Sequence, residues 1–215
     1  FVITFLKNFP VTNFKIIYKA YSNELRIINK KFIVNNKKSK TMFILGGGDS
    51  INDINKVQWE EINQSDSLGI NRWSLHKHNP TYMLIEGAKK SDLKLGEEAY
   101  EYNYFLLNKS IDGRQKTTFI FKDTDSLYID FKKLKMLKDR TYLMLKLIIP
   151  GKSIIGLRKS LKIIGKYSFF KNLSFPLGSR TSVTHALSFA ILAGYENIVL
   201  CGIDLQGAYF WEKSN

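Results

Sequence analysis

The feature that most constrains this chain is a short apolar run stopped by three glycines. Met42-Phe43-Ile44-Leu45 leads straight into Gly46-Gly47-Gly48, and Asp49-Ser50 then precede a stretch with helical spacing from Ile51 to Ile62. That order predicts a strand, a tight turn and a helix. Looser versions follow. Ser67 to Ile70 ends at Asn71, Thr81 to Ile85 follows Asn79-Pro80, residues 91–108 read as a tyrosine-rich helix, and Thr117 to Phe121 is a fourth strand. The last forty residues give the clearest instance. A glycine-led polar turn at 178–182 opens a helix from Val183 to Ala193, with Gly194 placed to cap it. Ile198 to Cys201 is apolar throughout, predicting a buried strand, and it closes in Gly202-Ile203-Asp204. Strands alternating with helices predict an α/β fold: a mostly parallel, Rossmann-type sheet flanked by helices.

Composition narrows the classes. With 44% apolar and 24% charged residues, general disorder is excluded, and 215 residues suit one large domain. The charge of +14 favours an anionic partner: a nucleotide sugar, a nucleic acid or an acidic membrane surface. Cys201 is the only cysteine, which excludes an internal disulfide and a cysteine-built zinc site. No apolar run approaches the roughly 18 residues of a spanning helix. Residues 1–41 are basic and aromatic, with Ile16, Ile17, Ala20 and Tyr21 at helical spacing. They are expected to lie peripheral to the nucleotide-binding domain at 42–215, as a solvated helix or a docking surface for anionic lipid headgroups. Residues 126–172 are expected to hold an inserted cap, although Leu127, Ile129 and Phe131 alternate as in a strand. The chain starts at Phe1 and ends soon after its last strand, so it reads as a fragment truncated at the C-terminus.

In an open parallel sheet, ligands bind beyond the carboxyl ends of the strands. Three loops fall there, 46–50, 71–73 and 202–209, and a fourth, 178–182, lies at a helix N-terminus. Consecutive glycines let the backbone approach a ligand and aim N–H groups at an anion. The same loop can equally be a tight turn with Asp49 or Ser50 as a helix cap. It matches neither the triphosphate-binding loop nor the GxGxxG fingerprint. Thr181 and Ser182 read as helix caps or as hydroxyls for a phosphate or carboxylate. His76 and His78 form an HxH pair without nearby carboxylates or cysteines, a poor metal set. His185 lies inside an apolar helix, where packing is the simpler role. Lysines and aromatics interleave between 131 and 171, but no nucleic-acid-binding motif accompanies them, so no nucleic acid is expected.

The stretches ILGGGDSI, LGIN and SRTSVTHALSFAILAGYENIVLCGIDL together resemble the bacterial lipooligosaccharide sialyltransferases and the related motility-accessory-factor glycosyltransferases. The resemblance covers roughly residues 42–87 and 178–210, and the final block is its most specific part. Asp49 stands where the family has proline, and Arg180 is offset by one from the family's arginine. The resemblance implies a GT-A-like, metal-independent glycosyltransferase without a cofactor. Its donor would be a CMP-activated acid sugar, sialic acid, Kdo or a relative. Its acceptor would be a glycan or glycolipid of the bacterial surface. It implies donor contacts at Gly46, Gly47, Gly48, Ser50, Asn71, Thr181, Ser182, Gly202, Ile203, Asp204 and Tyr209. Gly47 stands where those enzymes carry a side-chain amide. The family's general-base histidine falls on a lid beyond Asn215, so no catalytic base is named and the fragment is expected to bind CMP without turnover. A cytoplasmic location with peripheral membrane contact is the matching expectation, and a homo-oligomer stays open. A pterin-type phosphotransferase and a basic nucleic-acid-binding module are the alternatives.

Overall fold

The computed structural model describes residues 13–85, 181–204 and 207–210, most of 105–122, the stretches 130–134 and 138–145, and positions 155, 158 and 212. Seven strands form one sheet: β1 (Arg26–Ile27), β2 (Thr41–Leu45), β3 (Asp66–Ile70), β4 (Tyr82–Ile85), β5 (Thr118–Phe121), β6 (Thr141–Leu143) and β7 (Asn197–Cys201). Their order across the sheet is β1-β6-β5-β4-β3-β2-β7, and every pairing is parallel. The chain thus steps outward from β2 to β6 in one direction. It then returns to lay β7 on the opposite side of β2.

Among the described residues, helices on the two faces include α1 (residues 13–22), α2 (Lys30–Asn36), α3 (Lys56–Gln64) and α4 (Ser182–Leu192). Alternation along each strand divides the core in two. Phe43, Leu45, Met83, Ile85, Phe119 and Phe121 point to the side of Ile16, Ala20 and Ile62. Met42, Ile44, Tyr82, Leu84 and Ile120 point to the side of Ile33, Ala186, Phe189 and Ala190. A parallel sheet covered on both faces needs strands without a polar side, which is why the central strands read as continuous apolar runs. The expected α/β architecture is therefore the observed one.

Four expectations are corrected. Residues 13–36 are not peripheral. β1 pairs with β6 at the sheet edge, and Ile16, Ile28 and Ile33 are fully buried. The local pattern misled because these apolar residues serve two opposite faces of the sheet. β7 is not buried either. It pairs with β2 alone among the described residues, and Val199 and Leu200 remain 38% and 47% exposed. Phe131–Lys133 is a 3-10 turn rather than the end of a strand, because Asp130 turns its carboxylate onto the Lys132 N–H at 3.0 Å. The expected helix at 51–62 is broken in two. A 3-10 turn spans Asp49–Asp53, and α3 starts afresh at Asn55, whose side chain and that of Gln58 form a reciprocal capping box. Residues 86–104, 123–129, 146–154 and 159–180 lie outside the described residues, and with them most of the expected cap and the turn residues Gly178, Ser179 and Arg180.

Candidate functional site

The strand order reverses between β2 and β7, so their following loops diverge at the carboxyl edge of the sheet. That is the topological switch point at which open α/β sheets bind ligands. Here the two loops cross instead of gaping. Gly46 N–H donates to the Cys201 carbonyl and Gly48 N–H to the Gly202 carbonyl, each at 2.8 Å. Asp49 N–H donates to the Ala208 carbonyl at 3.1 Å, and Phe210 N–H donates to the Gly47 carbonyl at 3.1 Å. Gly48 and Tyr209 form an isolated antiparallel bridge. The crossing leaves no room for a side chain at Gly46, where a Cβ would overlap the Gly202 carbonyl. Gly202 turns the chain with φ +62°, the left-handed region.

The loops are tied by a pair of side chains. Ser50 Oγ donates to Asp204 Oδ1 at 2.5 Å, and Ser50 N–H donates to Asp204 Oδ2 at 3.0 Å. The carboxylate therefore fills the place an anion would take at the start of the 49–53 turn. Both residues are solvent-exposed, so Asp204 keeps acceptor capacity toward the crevice. Ile203 contributes backbone only, since its side chain packs with the cluster under α4. Tyr209 is 49% exposed beside the glycine loop, and its N–H donates to Glu212 Oε2 at 3.0 Å.

Asn71 follows β3, two residues past Gly69, which pairs with Leu45. It leaves the sheet at the same level as Gly47, one strand over. Its φ of 59° is left-handed, a conformation asparagine accepts more readily than other side chains. Its exposed amide and its backbone geometry are both reasons for asparagine here.

Thr181 and Ser182 lie further along the same edge. Thr181 is the N-cap of α4: its Oγ1 accepts the Thr184 N–H at 3.3 Å. Ser182 is buried, and its Oγ receives Lys122 Nζ at 3.4 Å. Lys122 follows β5 and is only 6% exposed. A buried ammonium beside a helix N-terminus is an anion-attracting pair. Sequence reasoning missed Lys122. The signal was its position one residue past a strand, diluted among 33 basic residues. His185 is fully buried on α4 with Nδ1 2.9 Å from the Thr181 carbonyl, so that nitrogen carries the proton and the ring packs as expected.

The floor beside Gly47 is aromatic. Trp73 is fully buried, stacks on His76 at 4.4 Å and meets Phe210 edge-on at 5.8 Å. Trp59 covers His78 at 4.9 Å. Trp73 Nε1 donates to the His78 carbonyl at 3.2 Å, and His78 N–H donates to His76 Nδ1 at 3.1 Å. Arg114 donates to the carbonyls of Ser74 and His76. Desolvation first, then neighbouring positive charge, lowers both histidines to about 4. They are neutral packing rings at neutral pH. Among the described residues, no group of three or more His, Cys, Asp or Glu side chains could hold a metal. No helix among them is long and apolar enough to cross a membrane.

The parallel sheet with helices on both faces places the chain among open, doubly wound α/β folds. No family model matches the sequence, and no curated protein matches it. Among solved structures, it is similar to a MAf glycosyltransferase from Magnetospirillum magneticum AMB-1, with 14% identity and a TM-score of 0.44. The match covers 83% of this chain and 27% of that one, so the chain spans about a quarter of that structure.

Proposed function

We propose that this chain carries the donor site of a glycosyltransferase that uses a CMP-activated acid sugar. The observation that carries the reading is the Ser50–Asp204 junction where the β2 and β7 loops cross. A carboxylate held by one N–H and one hydroxyl, and open to solvent, accepts hydrogen bonds from sugar hydroxyls. It repels phosphate. The ribose of the nucleotide therefore belongs over Asp204, beside the loop of Gly46, Gly47 and Gly48 that crosses under it. The phosphate and the acid sugar belong at the other end, where Thr181, Ser182 and Lys122 offer positive charge and hydroxyls. From β7 to β5 is four strand spacings, about 19 Å, the scale of an extended nucleotide sugar. Asn71 lies between the two ends, and Tyr209 borders the ribose end. Transfer from such a donor passes through an oxocarbenium-like state, in which stabilising the departing phosphate matters most.

Calorimetric titration with CMP, UMP and inorganic phosphate tests the reading. Saturable CMP binding that Asp204→Ala weakens is expected. Binding of UMP alone, or of phosphate as tightly as CMP, would overturn the donor assignment. Salt-sensitive binding of single-stranded nucleic acid without CMP binding would favour the basic-module reading instead.

Asn71 allows a finer test. Asn71→Ala changes the amide and the backbone preference together, so it should cost about 1 kcal/mol of stability as well as affinity. Asn71→Gly relieves the backbone and still removes the amide. The glycine variant should match wild type in melting yet bind CMP about 1–2 kcal/mol more weakly. Unchanged CMP affinity in Asn71→Gly would restrict Asn71 to a turn residue.

A further inference from the structure

Helix α1 is apolar on both sides. Its inner side buries Ile16 and Ala20 in the core. Its outer side carries Phe14, Ile17, Tyr18 and Tyr21, which are 71%, 47%, 66% and 82% exposed. Positions 14, 17, 18 and 21 fall on one stripe of a helix. A surface helix ordinarily turns polar residues outward. A contiguous apolar stripe in their place marks a surface that something covers.

We propose that this stripe seats the protein on an anionic lipid surface, with the four side chains in the interfacial layer. Charge complementarity chooses the occupant. Helix α1 carries Lys15 and Lys19 and no acid, and Glu24 just beyond it is engaged by Lys138 at 2.5 Å. Lys15 is exposed on the helix itself. Lys19 lies over the Phe131 ring at 5.4 Å, which brings the exposed Lys132 and Lys133 to the flank of α1. The acid there, Asp130, accepts the Lys132 N–H. Apolar side chains rimmed by lysines, with tyrosine hydroxyls among them, suit the boundary between headgroups and acyl chains. A second copy is disfavoured as occupant, because it would bring the same basic rim against itself. This inference does not depend on the donor reading.

The test is co-sedimentation of the whole chain with vesicles of phosphatidylcholine alone and of phosphatidylcholine with phosphatidylglycerol. Binding to the phosphatidylglycerol vesicles, and little to the neutral ones, is expected. Ile17→Ser with Tyr21→Ser should weaken that binding about tenfold or more without changing the melting temperature, since both side chains face solvent. Lys132→Glu with Lys133→Glu should weaken it as well. A Tyr21→Trp variant should shift its emission to the blue on the anionic vesicles. Absence of vesicle binding, a serine variant that binds like wild type, or no blue shift would each overturn the proposal. A concentration-dependent dimer that the serine variant abolishes, with no vesicle binding, would assign the stripe to a second copy.

Discussion

Gly46→Ala should lower the free energy of unfolding by about 3 kcal/mol, because the added carbon has nowhere to go. Its position overlaps the Gly202 carbonyl, which is backbone, and the end of Ile203. Gly202 cannot easily retreat. It sits at φ +62°, and a side chain there would itself strike Ile51. The crossing of the β2 and β7 loops would open, taking with it the hydrogen bonds from Gly46 and Gly48 and the Ser50–Asp204 pair. Gly113→Ala is the matched control. Its Cβ would find only the Lys109 carbonyl, 3.7 Å away, and the change should stay within about 0.5 kcal/mol. Urea unfolding of the two variants measures the difference. A Gly46→Ala protein as stable as wild type would show that the crossing is loose.

The second large effect is a loss of stability on mild acidification. His76 and His78 titrate near 4 in the folded chain, below the 6.5 of an unconstrained imidazole. Between those values the unfolded chain binds more protons, so stability falls as pH drops from 6.5 toward 4 and the loss is complete below 4. No carboxylate accompanies Lys77, Arg114 and the two rings among the causes of the shifts. Both residues are only part-buried, so solvent screening holds the effect to about 1–2 kcal/mol each. Urea midpoints at pH 7 and pH 5 should therefore differ in wild type. The difference should shrink in a His76→Gln, His78→Phe double variant. An equal drop in the variant would place the proton uptake elsewhere. Acidification would loosen Trp73 first, and with it the floor under the Gly47 loop.

The central sheet was legible because a doubly covered parallel strand leaves a plain signature. Thr41–Leu45, Tyr82–Ile85 and Thr118–Phe121 each read as a run of apolar residues bounded by polar or turn residues. α4 was legible from Thr181 to Gly194 because its cap, its apolar body and its glycine stop agree. β1 and β6 were not. Two and three residues long, they are too short to show a period, and only their pairing in the sheet, β1 on β6 and β6 also on β5, makes them strands. β7 was read as buried because its residues are apolar, but composition does not say which strand lies at an edge. At the site, the glycine loop, Asn71, Ser50 and Asp204 were all singled out from positions beyond strand ends. That Ser50 and Asp204 bind each other was hidden, since it depends on which two strands are neighbours. Lys122 was hidden by dilution among 33 basic residues.

The order of the strands also sets a schedule. Ser50 and Asp204 are 154 residues apart in the chain, yet each needs the other, and β2 needs β7 to complete its pairing. During synthesis at about 5–20 residues per second, β2 waits on the order of 10–30 s with one edge open. β3 and β4 can pair in the meantime, but the crossing that shapes the crevice forms last. Contacts this distant make for slow folding. Nascent chains halted before Asn197 should thus remain open to protease around Gly46–Ser50, and chains carrying β7 should not. Equal protection in both would mean that the β2 loop organises itself before its partner arrives.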